Sequence, residues 1–150
     1  FWLFAAGRVF DGGVQRIVLP QVQTPEVARQ MAANWKYPPL GHRSVAGAHP
    51  VVDFETYPMA EVSKAINDAT LLILMLETPE AIANAEAIAA VSGVDALLIG
   101  TNDLCMEMGI PGDVGHERVG AAYKTTIAAC QKHGQSLCMG GVCTTPLQSN

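Results

Sequence analysis

One stretch decides the fold of this chain: Leu71-Leu72-Ile73-Leu74-Met75-Leu76-Glu77-Thr78-Pro79-Glu80. Its first six residues are all apolar, and a run without polar alternation is typical of a strand in a parallel sheet whose two faces are both covered. The following residues predict a helix start, with Thr78 as N-cap, Pro79 at the first helical position and Glu80 in the first turn. The stretch therefore predicts a β-strand that leads directly into an α-helix.

Three further apolar runs indicate strands of the same kind, at residues 16–22, 96–100 and 136–141. Helical patterns separate these strands, one beginning at Thr24 and others covering residues 61–68, 79–91 and 117–132. Alternation of strands and helices indicates right-handed βαβ units and a parallel sheet. The residues therefore predict an α/β fold, with residues 1–150 forming a single domain.

Composition excludes several functional classes. Hydrophobic residues make up 49% of the 150 residues and the charged residues only 15%, against roughly 25% charged in soluble domains. This balance excludes disorder, and the net charge of −5 argues against a nucleic-acid surface, which needs a basic face. The apolar run at 71–76 is far shorter than the roughly 18 residues of a membrane span. We therefore expect neither a nucleic-acid partner nor a membrane partner.

The four cysteines do not form a recognisable framework. Cys105, Cys130, Cys138 and Cys143 include no C-x-x-C pair and have no zinc spacing. We expect free thiols in a reducing compartment, and hence a cytoplasmic protein. The chain begins without Met and stops just after an apparent strand. We expect it to be a segment of a longer protein.

Two acidic residues follow neighbouring predicted strands. Glu77 comes directly after the run 71–76, and Asp103 comes three residues after the run 96–100. Chemistry in parallel α/β folds lies at the carboxyl ends of the strands, which are about 4.8 Å apart. Two carboxylates at one edge can share a cation, and hard oxygen ligands favour Mg²⁺ or Mn²⁺ over zinc. The sequence predicts a divalent metal site with positions left for substrate.

An anion site is predicted beside this metal site. The helix start after Glu77 and the turn Gly100-Thr101-Asn102 present backbone N–H groups that can bind an anion. A metal ion beside these backbone N–H groups would form a suitable binding pocket for a 2-oxo acid. The pattern alone also leaves structural interpretations open, because Glu77 can stabilise a helix N-terminus and Asp103 can serve as a turn or N-cap residue.

Four segments resemble one known family: LETPEA at 76–81, GVDALLIGTNDL at 93–104, YPPLGHRSV at 37–45 and GIPG at 109–112. The family is that of the HpcH/HpaI aldolases, the class II pyruvate-dependent aldolases typified by 4-hydroxy-2-oxoheptanedioate aldolase. The resemblance runs from about Arg8 to Gly141, in the family's order of motifs. It implies a (β/α)8 TIM barrel, of which this chain covers about strands 4 to 7.

The resemblance also implies an activity. The carboxylates of Glu77 and Asp103 would hold Mg²⁺ or Mn²⁺, with Co²⁺ also possible. Pyruvate would chelate the metal, with its carboxylate held by the backbone of Gly100, Thr101 and Asn102. The enolate of this pyruvate would add to an aldehyde, or form when a 4-hydroxy-2-oxo acid is cleaved. The family usually assembles into a hexamer.

The chain departs from the family pattern in three ways. Thr101 stands where the family usually has Pro, and Met75 stands where many members have Gln. The family's catalytic His and substrate-binding Arg lie upstream of Arg8, so no catalytic residue is predicted within this chain. Arg43 matches a family Arg in the long loop 37–57, where it would bind an acidic substrate or a neighbouring subunit.

Two alternative functions remain open from the sequence. The same fold and metal pair would serve an oxaloacetate decarboxylase or an enzyme similar to macrophomate synthase. A non-catalytic partial barrel that acts as an assembly partner is the other alternative, because the proton-transfer residues are not in this chain.

Overall fold

Four parallel strands form one sheet, and they follow each other in chain order across it. The computed structural model describes residues 13–45 and 55–140. Its strands are β1 (Arg16–Leu19), β2 (Leu71–Leu76), β3 (Ala96–Gly100) and β4 (Ser136–Gly140). The predicted α/β fold with a parallel sheet is therefore confirmed.

Six helices accompany this sheet in the described residues. They are α1 (Pro25–Trp35), α2 (Met59–Ala69), α3 (Pro79–Ala83), α4 (Ala85–Ala89), α5 (Thr101–Glu107) and α6 (Glu117–His133). The hydroxyl oxygens of Thr24 and Thr78 accept the N–H groups of Val27 and Ala81, so both act as the predicted N-caps. Gly134, at φ 68°, ends α6 in the left-handed conformation typical of a helix C-terminus.

The two faces of the sheet differ in their burial. Leu72, Leu74 and Leu76 are fully buried in the core together with helix residues. The alternate residues are more accessible, and Val18 and Leu71 are each 39% exposed. The continuous apolar runs predicted burial on both faces, whereas the described part of the chain fully covers only one.

Three predicted boundaries are wrong. The helix predicted at 79–91 is two short helices, because Asn84 leaves helical geometry and donates its side-chain amide to the carbonyl of Gln23 (2.8 Å). The turn predicted at 100–102 is instead the junction of β3 with α5. β1 stops at Leu19, because Pro20 has no N–H and Gln21 adopts a left-handed φ of 59°.

A buried ammonium group joins several elements near the start of β2. Lys36 Nζ donates to the carbonyl oxygens of Asn67 (3.0 Å) and Thr70 (2.8 Å), and it pairs with Asp95 Oδ2 (3.1 Å). The same Asp95 oxygen accepts the N–H of Leu72. This network connects the end of α1, the end of α2 and the residue before β3. Hydropathy and spacing did not indicate it.

The cysteines in the described residues are free thiols, as predicted. Cys105 and Cys130 are buried and Cys138 is half-buried. Cys143 lies outside the described residues. None of the helices in residues 13–45 and 55–140 is long and apolar enough to cross a membrane.

We expect Lys36→Met to destabilise the fold by about 3 kcal/mol. The substitution leaves buried carbonyls and the Asp95 carboxylate without their cation, and the partial exposure of Asp95 puts the cost at the low end of the range for buried pairs. Lys64→Met is the control, because its pair with Asp68 is exposed, and it should change stability by less than about 0.5 kcal/mol. Urea unfolding followed by circular dichroism measures both. Equal effects of the two variants would contradict the role of the network.

Candidate metal centre

Two strand ends bring the predicted carboxylates to one edge of the sheet. β2 and β3 pair in parallel with Leu76 opposite Ile99, so Glu77 and the start of α5 leave the sheet at the same edge. Asp103 lies in the first turn of α5. The edge is the carboxyl edge, as predicted for a site in a parallel fold.

The carboxylates of Glu77 and Asp103 interact directly. Burial raises the pKa of Glu77 most, and a hydrogen bond from the Gln21 N–H opposes that rise. The nearby Asp103 carboxyl raises the pKa of Glu77 further, through a hydrogen bond and through its negative charge. Two carboxyl groups in such contact repel each other when both are ionised, and a bound cation would remove that repulsion.

The backbone around Glu77 is fitted to its carboxylate. The N–H of Gln21 donates to Glu77 Oε2 at 2.8 Å. On another side stands Gly100, where an added Cβ would lie 2.7 Å from Glu77 Cγ and 3.0 Å from Oε1. Only glycine leaves room for the carboxylate here, which is a physical reason for glycine at position 100.

A cleft of about 380 Å³ opens over the two carboxylates. It is lined by Pro20, Gln21, Gln23, Glu77, Thr78, Asp103 and Glu107. The sequence patterns did not indicate Glu107, although the four-residue spacing from Asp103 along α5 puts both on one helix face. They did not indicate Gln21 either, because Gln21 contributes a backbone N–H group, which every residue type except proline has.

The predicted substrate-binding residues have different surroundings. Gly100 lies against Glu77, and Asn102 is exposed in the first turn of α5. The Thr101 side chain is buried, and its hydroxyl forms hydrogen bonds with the Tyr123 hydroxyl (2.6 Å) and the Gly140 carbonyl (3.1 Å). The Thr101 side chain therefore joins α5 to α6 and β4, which leaves its backbone N–H as the group that could face an anion.

Arg43 packs within its own loop. It is buried, and its guanidinium lies over the ring of Tyr37 at 4.7 Å from the centroid. The described residues that line the cleft do not include it. Part of the predicted loop 37–57, namely residues 46–54, lies outside the described residues.

The donor set fits a hard divalent cation. Within residues 13–45 and 55–140, no three or more His, Cys, Asp or Glu side chains form a group that could hold a metal. Two carboxylates therefore remain, and such a pair suits Mg²⁺ or Mn²⁺, which keep several positions for water and substrate.

We expect Asp103→Asn to lower the pKa of Glu77, because the variant removes the repelling charge. A raised pKa in the folded chain means that the folded state binds the proton more tightly, so its stability falls as pH rises through the window above the ordinary value. In the Asp103→Asn variant, the stability of the fold should therefore decrease less as pH rises through this window. NMR titration of the Glu77 side-chain carboxyl measures the shift, and the exposed Asp113→Asn variant is the control. An unchanged pKa in Asp103→Asn would contradict the contact.

We expect Gly100→Ala to destabilise the fold by about 1–3 kcal/mol, because the new methyl group forces Glu77 to move. Gly120→Ala is the matched control, since it lies within α6 with no atom within 4 Å of an added Cβ. It should stabilise the fold by about 0.5–1 kcal/mol. Thermal unfolding of both variants compares them, and a stabilised Gly100→Ala variant would show that the site is not closely fitted.

Comparison with known proteins identifies the relatives of this chain. The sequence model of the HpcH/HpaI aldolase/citrate lyase family matches residues 3–145. The chain is 38% identical over 136 residues to the 4-hydroxy-4-methyl-2-oxoglutarate aldolase of Hapsidospora irregularis, covering 90% of this chain and 50% of that protein. It is 38% identical over 127 residues to the hydroxypyruvate/pyruvate aldolase of Sagittula stellata, covering 85% and 49%.

A solved structure shows the same fold. The HpcH/HpaI aldolase from Desulfitobacterium hafniense superposes with a TM-score of 0.85 at 32% identity, covering 91% of this chain and 52% of that one. The chain thus spans about half the length of the curated relatives it matches. With a parallel α/β fold, a family match over almost its whole length and relatives above 30% identity, the chain belongs to the HpcH/HpaI aldolase/citrate lyase family.

Proposed function

We propose that this chain is the metal-holding part of a carbon–carbon lyase that cleaves or forms 4-hydroxy-2-oxo acids, with pyruvate as one product or substrate. The observation that carries the proposal is the contact between the Glu77 and Asp103 carboxylates beneath a cleft at the carboxyl edge of the sheet. Relatives named as aldolases of 2-oxo acids support the reaction class.

The chain's own residues would perform three tasks. Glu77 and Asp103 would supply oxygen ligands for Mg²⁺ or Mn²⁺, and Gly100 leaves space for the Glu77 carboxylate. The backbone N–H groups of Thr101 and Asn102, at the start of α5, would hold the carboxylate of the 2-oxo acid. When bound, the divalent cation would supply a Lewis acid for the keto oxygen.

We propose that the remaining tasks belong to a more complete barrel. Four parallel strands in chain order are consistent with about strands 4 to 7 of a (β/α)8 barrel. The accessible face, which includes Val18 and Leu71, suits the interior of a closed barrel. The resemblance assigns catalysis to a His and substrate binding to an Arg, both on earlier strands.

Other expectations stay predictions. They are the hexameric assembly, the aldehyde partner, the cytoplasmic location and a substrate or subunit contact by Arg43. The packing of Arg43 on Tyr37 supports a role in shaping the loop that begins at Tyr37.

The test is pyruvate release from a 4-hydroxy-2-oxo acid with Mg²⁺ or Mn²⁺, measured on the complete protein. We expect Glu77→Gln to lower kcat/KM at least about 100-fold, because a Lewis acid contributes several kcal/mol to such a reaction. Glu61→Gln, an exposed change in α2, is the control and should keep full activity.

Two outcomes would redirect the proposal. Unchanged activity of Glu77→Gln would exclude the carboxylate pair as the metal site. Oxaloacetate, offered in the same assay, separates a decarboxylase from an aldolase, because a decarboxylase would release CO₂ faster than it cleaves any 4-hydroxy-2-oxo acid.

A further inference from the structure

We propose that Gln21 is a positioning residue for Glu77: its left-handed backbone aims an N–H group at Glu77 Oε2 and fixes the orientation of that carboxylate. The inference deepens the proposed function and rests on it, because Glu77 is there a metal ligand. It assigns a role to a residue that neither the spacing nor the motifs of the sequence indicated.

The conformation of Gln21 needs an explanation. Among residues 13–45 and 55–140, Gln21 is the one non-glycine residue with positive φ, at 59°. Residues with a Cβ avoid this region because of steric contact with the backbone, and they adopt it where the surrounding structure requires it. The Gln21 side chain is exposed, so burial of that side chain does not account for the conformation.

The segments on both sides of Gln21 are held in place. Before it, Leu19 ends β1 opposite Leu74 of β2. After it, Val22 is fully buried and donates its N–H to the Met75 carbonyl (3.3 Å), and the Gln23 carbonyl accepts the Asn84 amide. The chain between β1 and α1 is therefore constrained from both ends, and the strained residue between these anchors carries the N–H that meets Glu77.

The geometry serves a metal ligand in particular. The Gln21 N–H donates to Glu77 Oε2 at 2.8 Å, while Gly100 packs against the other side of the carboxylate, near Oε1. A backbone N–H has a fixed direction and no net charge, so it orients the carboxylate without neutralising it. Groups that orient metal ligands in this way typically change metal affinity 10–100-fold when they are altered.

The first arm of the test is made without metal. NMR should show the Gln21 amide proton shifted downfield and slow to exchange in the wild-type protein. In Glu77→Ala the proton should move upfield and exchange about tenfold faster, because its acceptor is gone. Asp113→Ala, an exposed change away from the site, is the control and should keep the signal. An amide signal that is the same in Glu77→Ala and wild type would overturn the inference.

The second arm measures Mn²⁺ affinity by electron paramagnetic resonance on the complete protein. Gln21→Val should weaken Mn²⁺ binding about tenfold, because a β-branched residue resists the left-handed conformation. Gln21→Gly keeps the N–H and adopts positive φ freely, so it should bind within about threefold of wild type. Gln30→Val makes the same change on the exposed surface of α1 and should bind as wild type does.

The outcomes separate the two proposals. Thermal unfolding of each variant confirms that the protein compared is folded. Equal Mn²⁺ affinity of folded Gln21→Val and wild type would overturn the positioning role. If Gln21→Val does not fold, the Mn²⁺ affinity of Gln21→Gly and the NMR measurement of the Gln21 amide without metal decide whether the positioning role holds. Wild-type protein that binds no Mn²⁺ would overturn the proposed function, whereas the amide measurement still decides whether Gln21 holds the carboxylate.

Discussion

The parallel pairing of β2 with β3 is the constraint on which the candidate site depends. Because Leu76 lies opposite Ile99, the residues that follow these strands leave at the same edge and at the same height. Glu77 and Asp103 meet there although 26 positions separate them in the sequence. A slip of this register would move one carboxylate along the strand direction and break the contact.

Contact between the carboxylates carries an electrostatic cost in the free protein. Burial and the neighbouring Asp103 both act against the ionised form of Glu77, and the single N–H of Gln21 offsets part of that cost. A positive charge between the two carboxylates would remove this cost. Gln21, with its strained backbone, and Gly100, which has no side chain, hold the Glu77 carboxylate in one orientation without a bound cation.

The strands, the main helix starts and the acidic pair could be predicted from the sequence, because each follows from a local pattern. Apolar runs marked β2 and β3, Thr24 and Thr78 marked helix starts, and the strand ends pointed to Glu77 and Asp103. The break at Asn84 could not be predicted, since it depends on the Gln23 carbonyl 61 positions away. The roles of Lys36 and Gln21 could not be predicted either: the Lys36 amine binds a backbone carbonyl 34 positions away, and Gln21 donates its own backbone N–H to the carboxylate of Glu77, 56 positions away.

Buried Lys36 has a practical consequence. Its side chain is 3% exposed and its amine is surrounded by two carbonyl oxygens and a carboxylate. Acylating reagents attack free amines that reach water, so this amine stays unmodified while the native packing lasts. Its labelling rate relative to that of the exposed Lys64 would report how often the surroundings of the amine open transiently.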